Sequence, residues 1–203
     1  VLLGSRGGEE WLQPHTFDDN IYVLPGLDQE AASELADLIL ARHNATGYRS
    51  DPDLAKLIKL LDGYPLALGV VLANLATQTP SEVLATLVSG APGIDGGEPD
   101  ESSPTLDFGA PDIQKKTESI IACIAYSHSN LSEAAQQLLL CLAPFTSVIY
   151  QGVLEGYTAE LKKEPGLADL HFELWPILLQ QAGTWGLVSD HALRGFLRLQ
   201  PTL

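Results

Sequence analysis

The chain reads as mainly α, with a small α/β piece at its start, a bundle of four short helices, and a final block of three helices closed by a β-hairpin. Three observations carry this reading. Apolar residues recur at helical spacing from Asp28 to Val88 and again from Ile113. Cap residues and prolines punctuate those stretches at short intervals. Short alternating runs stand only at the two ends. The 203 residues suit one or two domains. With 45% hydrophobic and 18% charged residues, the composition is that of a globular protein able to bury a core.

At the start, Val1-Leu2-Leu3 has the pattern of a short buried strand, and Gly4-Ser5-Arg6-Gly7-Gly8 that of a loop. Ile21-Tyr22-Val23-Leu24 reads as a second strand, ended by Pro25-Gly26. Residues 1–27 are therefore assigned to an α/β core. From Asp28 the period turns helical. Asp28 is the N-cap, Glu30 lies in the first turn, and Ala31, Leu35, Leu38 and Ile39 share a face. Asp51-Pro52 opens the next helix, since proline at the first helical position gives up a donor that would go unused. Its stripe is Leu54, Leu57, Ile58 and Leu61, and Gly63 is its stop. Pro65 opens a third helix over 66–76, apolar nearly all round and so expected at the centre. Thr79-Pro80 repeats the opening, with Val83, Leu84, Leu87 and Val88 as its stripe. Residues 28–90 thus form a compact helical unit.

Residues 91–112 read as an acidic linker. From Gly90 to Asp112 the chain has five Gly, four Pro, six acids and no base. The last block, 113–203, begins with a helix bearing Ile113, Thr117, Ile120, Ile121 and Ile124 on one face. Leu131-Ser132 starts a second helix, with Leu138, Leu139 and Leu142 inward and Pro144 as its stop. A third is expected over 149–163, and a further helix over 167–183, kinked at Pro176. Gly186-Leu187-Val188-Ser189, a polar turn at Asp190-His191, and Gly195-Phe196-Leu197-Arg198-Leu199 then form a hairpin. Helices followed by such a hairpin make a winged-helix order.

Charge and motifs exclude several classes. Eleven Lys and Arg against 26 Asp and Glu give a net charge of −15, which opposes nucleic-acid binding. The expected recognition helix, 167–183, holds neither Lys nor Arg, so a winged-helix DNA-binding regulator is the weakest reading. The two cysteines, Cys123 and Cys141, lack metal-ligand spacing and are expected in the core, which fits a reducing, cytoplasmic setting. Five scattered histidines show no ligand spacing. There is no phosphate-cradling glycine loop and no nucleophile elbow, so no catalytic residue is assigned. The longest apolar run, 64–76, is broken by Pro65 and Gly69 and is shorter than the roughly 18 residues of a membrane span. No Met is present, and the chain opens inside an apolar run, so a piece of a longer protein is expected.

Three patches could still touch a ligand. Arg6 follows a buried strand at the end of a sheet, where a planar, permanently charged fork suits phosphate. Asp62-Gly63-Tyr64-Pro65-Leu66 is a helix stop, a turn and a proline-led helix, and a proline ring facing out can pack on a purine. Phe196-Leu197-Arg198-Leu199-Gln200-Pro201 leaves the hairpin.

In this order, Leu-Gly-Ser-Arg6, Val-Leu-Pro-Gly-Leu-Asp28, Leu-Leu-Asp-Gly-Tyr-Pro-Leu-Ala-Leu68 and Leu-Arg-Leu-Gln-Pro201 resemble the NB-ARC-like branch of the STAND family. These are signalling ATPases that include plant resistance proteins, apoptosome cores and bacterial and fungal relatives. The resemblance covers the whole chain, and Gly63-Tyr64-Pro65 is its most specific motif. It implies that residues 1–27 end an NTPase core, 28–90 are a helical lid and 113–203 a winged helix. It further implies that Arg6 meets the terminal phosphate of ATP, that Pro65 packs on adenine with Gly63 shaping the turn, and that Gln200 stands where the family has a phosphate-reading His. Gln can donate a hydrogen bond but carries no charge. The implied cofactor is ATP or ADP, with Mg in the complete protein and none held tightly by this chain alone. The implied partners are the rest of its own chain, with the NTPase core upstream and sensor repeats downstream, and further copies of itself on activation, with no nucleic acid and no membrane. A helical protein-interaction scaffold without a nucleotide role is the alternative.

Overall fold

The fold was analysed in a computed structural model, which describes residues 25–89, 106–107, 113–145 and 147–199. Among these, eight α-helices and one small antiparallel sheet build two adjoining cores.

The first four helices begin where their caps lie. In α1 (Gln29–Arg42) the Asp28 carboxylate accepts from the Ala31 N–H at 2.8 Å. In α2 (Pro52–Leu60) Asp51 accepts from Asp53 N–H at 2.8 Å, with Pro52 in the first turn. Helix α3 (Pro65–Ala73) continues as a 3-10 turn, Asn74–Ala76, so the expected third helix tightens in its last turn. At α4 (Pro80–Ser89) Thr79 and Glu82 cap each other: Glu82 Oε2 accepts from Thr79 N–H at 2.8 Å, and Thr79 Oγ1 accepts from Glu82 N–H at 3.3 Å. The Thr79 N–H, and the Thr79 hydroxyl, which also donates to Glu82 Oε2 at 2.8 Å, hold the Glu82 carboxyl below its ordinary pKa.

The rotation of α1 differs from the expected one. Leu38 is 69% exposed, and the buried stripe is Ala32, Ala36, Ile39 and Leu40. Ala32 and Ala36 lie in the first core together with α3, and Leu38 falls off that face. Val88 is likewise 65% exposed, at the end of α4. Helix α3 is the centre, as expected: Ala67, Leu68 and every residue from Val70 to Ala73 are buried.

Helix α5 (Ile113–Ser129) packs on α3. Ala122, Cys123 and Tyr126 lie in the first core, and Ile124 in the second. Ile121, expected on the apolar face, is 39% exposed. Of the linker, Leu106 packs on the first core and Asp107 N–H donates to Ser119 Oγ at 2.8 Å, while most of 90–112 lies outside the described residues.

The second core starts with α6 (Glu133–Leu140), capped by Ser132. The helix expected over 149–163 is shorter, because its first residues pair as a strand. Residues Val148–Tyr150 form β1, a 3-10 turn follows at Gln151–Val153, and α7 spans Leu154–Leu161. Residues 167–171 form turns, not helix. A 3-10 turn at Phe172–Leu174 then leads into α8 (Trp175–Thr184), so Pro176 lies in a first turn instead of kinking a helix. The hairpin is β2 (Val188–Asp190) and β3 (Phe196–Leu199), and β1 adds to it in the order β1-β3-β2, with Ile149 opposite Leu197 and Val188 opposite Leu199. All four of these side chains are buried, while Arg198, one step out of register, is exposed.

One buried group carries a pH dependence. His128 is 7% exposed, and among the described residues its Nε2 has no hydrogen-bond partner. Burial holds its pKa below the ordinary 6.5. Burial, helped by Arg42, also lowers His43. The unfolded chain therefore takes up these protons first. Stability is complete above about pH 6.5 and falls as pH drops through that value towards the lowered folded one. Urea midpoints at about pH 7.5 and about pH 5 should show this loss, and His128→Leu should make it smaller. Packing gives a second test. Leu68→Ala should cost about 3 kcal/mol in urea denaturation. Leu38→Ala should stay within about 0.5 kcal/mol.

Candidate functional site

The Gly63–Pro65 corner is built by backbone geometry. After α2 the chain must turn back at once, and Asp62 (φ 47°) and Gly63 (φ 69°) do this in the left-handed region. Asp tolerates that region because its side chain is short and polar. Gly63 is required for a second reason. A Cβ there would lie 2.1 Å from the Leu27 carbonyl oxygen. The stretch before α1 crosses this corner, and Leu27 N–H donates to the Gly63 carbonyl at 2.8 Å. Gly26 is needed for the same crossing, because a Cβ on it would stand 2.2 Å from the Asp62 carbonyl oxygen. Sequence reading treats Pro25-Gly26 only as the end of a strand. The signal was a glycine at each of two punctuation points, but nothing local shows that the two meet.

Tyr64 is extended (φ −73°, ψ 113°), as a residue before proline prefers. Pro65 then opens α3 with its ring exposed. The helix is buried behind it, so this ring stands at the solvent end of the most enclosed element in the molecule. No side-chain cap covers the first turn.

Beside the corner lies a half-open cleft of about 720 Å³ between α1 and α2. Its floor includes Ala36, Leu40 and Leu54, and its rim carries Arg49, Lys56 and Lys59. Arg49 Nε reaches Asp37 Oδ1 at 2.9 Å, with both side chains more than half exposed, so the pair contributes at most about 1 kcal/mol. Lys56 Nζ meets Asp53 Oδ1 at 2.7 Å, and its donated bond holds the Asp53 carboxyl below its ordinary pKa. Among the described residues, Lys59 makes no ion pair. Three of the eleven cations thus surround one cleft in a strongly acidic chain.

Of the residues singled out in the sequence, the structure brings Gly63 and Pro65 together. Arg6 and Gln200 lie outside the described residues, as do both expected strands of 1–24. Both cysteines are free and buried, and burial pushes the Cys123 thiol up to about 12 and raises Cys141 as well. Such thiols stay protonated and act as core side chains. Among the described residues there is no group of His, Cys, Asp and Glu fit to hold a metal, and no helix long and apolar enough to cross a membrane. A second hollow, about 520 Å³ and mainly apolar, lies between α6 and α7 and includes Leu140, Pro144 and Tyr157.

No family model matches the chain, and no curated protein or solved structure does so either.

The corner's two parts should separate on substitution. Gly63→Ala must break the backbone crossing and should lose more than about 2 kcal/mol in thermal denaturation followed by circular dichroism. Pro65→Ala, at an exposed first helical position, should change stability by less than about 1 kcal/mol.

Proposed function

We propose that this chain is the lid and winged-helix part of a nucleotide-dependent signalling switch of the NB-ARC-like STAND type. In this reading it closes over ADP or ATP bound to a core outside the described residues. The observation that carries the reading is the Gly63–Tyr64–Pro65 corner: a two-residue left-handed turn holds an exposed proline ring at the tip of a buried helix. A rigid apolar ring in that place fits the flat face of a purine. Bound nucleotide would supply a contact that differs between its di- and triphosphate forms, which is what a switch needs to shift between two states. Pro65 orients and covers the base, and Gly63 holds Pro65 in place. Arg6 carries the charge that meets phosphate, and Gln200 offers a neutral donor.

The second block supports the same reading. The order α6, β1, α7, α8, β2, β3 with a β1-β3-β2 sheet is compatible with a winged helix and supports that reading. Helix α8, in the recognition position, carries no charged residue. Such a face favours packing against protein over a DNA groove. The block is thus read as a module that relays the nucleotide state to the rest of the chain and to further copies of it.

Nucleotide extracted from the purified full-length protein tests this reading. Pro65→Ala should lower retained ADP about tenfold, a loss of about 1.4 kcal/mol of binding. Arg6→Ala should change the ratio of ADP to ATP retained. Unchanged occupancy in both variants would defeat the reading and favour a helical interaction scaffold.

A further inference from the structure

Helix α3 belongs to both cores. Ala67, Leu68, Val71 and Leu72 are buried in the first, while Val70 is buried in the second and Leu66 packs against it. Two contacts fasten its second half to the second block. Gly186, in the turn that leads to β2, lies directly on the helix. A Cβ at this position would stand 2.8 Å from the Gly69 carbonyl oxygen and from the Ala73 Cβ, and 3.0 Å from the Val70 Cα. Two of these three atoms are backbone and cannot swing aside, and at φ 74° the residue is also in the left-handed region.

The second contact is a buried polar cluster. Asn74, fully buried, donates from Nδ2 to the Val70 carbonyl at 2.7 Å and to Ser127 Oγ on α5 at 2.8 Å. Ser127 Oγ in turn donates to the Val70 carbonyl at 3.2 Å. Asn130 Nδ2 donates to Asn74 Oδ1 at 3.2 Å, and Tyr126 OH donates to Gln78 Oε1. Buried amides of this kind have few alternative partners, so they set one docking geometry between α3 and α5.

We infer that α3 is a coupling rod: it joins the exposed proline at its first residue to the turn before β2, which rests on Gly69, Val70 and Ala73 in its second half, with Gly186 and Asn74 as its positioning residues. Nine residues of α-helix span about 13 Å. Buried along most of its length and packed against both cores, such a helix moves as a unit, because bending it would open voids in both. A displacement at Pro65 therefore reaches the Gly186 contact without any change in the linker at 91–112. The use of this rod as a nucleotide relay rests on the function proposed above, whereas the mechanical coupling does not.

Hydrogen exchange of this chain, read by mass spectrometry, tests the coupling with four variants. Gly186→Ala forces the turn off α3. It should raise exchange at least tenfold over residues 66–76, with residues 29–42 and total helicity unchanged. Ser127→Ala removes one partner of Asn74 and should raise exchange at least tenfold over 70–76. Gly195→Ala imposes the same kind of backbone strain (φ 82°) but meets only the Tyr150 ring, and should quicken exchange in the hairpin alone. Gly69→Ala places a Cβ in open space and should leave exchange over 66–76 as in the parent chain. The proposal is overturned if Gly186→Ala and Ser127→Ala both leave 66–76 protected, or if Gly195→Ala loosens 66–76 as much as Gly186→Ala does. Should Gly186→Ala fail to fold, Ser127→Ala decides by the same tenfold criterion. A negative result here leaves the nucleotide-occupancy test untouched, so the two ideas can fail separately.

Discussion

Helix α3 has no polar side to turn towards water. Apart from Pro65 at its tip, its side chains must be enclosed from every direction, and no single neighbour can do that. Helices α1 and α5 close on it within the first core, and the second core meets it through Leu66 and Val70. Much of the architecture follows. The buried stripe of α1 joins two alanines to Ile39 and Leu40, and Gly186 lacks a side chain because the turn before β2 rests on the α3 backbone. Two of the polar groups left inside, Asn74 and Ser127, have each other as partners.

The same burial explains why the start of α3 matters. An element enclosed along its length presents only its ends. One end is the Pro65 ring, held by the crossing of Leu27 over Gly63. The second half of the helix meets the second block. A ligand contact at Pro65 would thus act on a rigid part instead of a loop, and rigid parts carry small displacements over a distance. Three cations line one cleft together with Asp37 and Asp62, and α8 is uncharged.

Much of the fold was legible because helix ends are local. Asp28, Asp51, Thr79 with Glu82, and Ser132 each bond to an N–H no more than three residues away, so short sequence windows contain the whole interaction. Gly63 as a stop, and the central place of α3, are legible for the same reason: a left-handed turn needs glycine, and an all-apolar helix needs enclosure. The Gly63–Pro65 half of the candidate site belongs to this class. Its turn is set by consecutive residues, Asp62 to Pro65, whereas the Leu27 crossing that holds it comes from a remote part of the chain.

What the sequence alone determined is the punctuation and the element types, since these depend on bonds between near neighbours. Tertiary structure decided whatever needed a distant partner. Strand β1 reads as the start of a helix because its ladder partner, β3, lies far along the chain. Leu38 reads as buried because periodicity gives a face but not its rotation, and α1 buries Ala32, Ala36 and Leu40 instead. Pro176 reads as a kink because the turns before it are set by packing in the second core. Gly26 and Gly186 look like ordinary loop glycines until the backbone they touch is in place. Contacts between residues remote in sequence depend on how all the elements pack at once, and no local window carries that information.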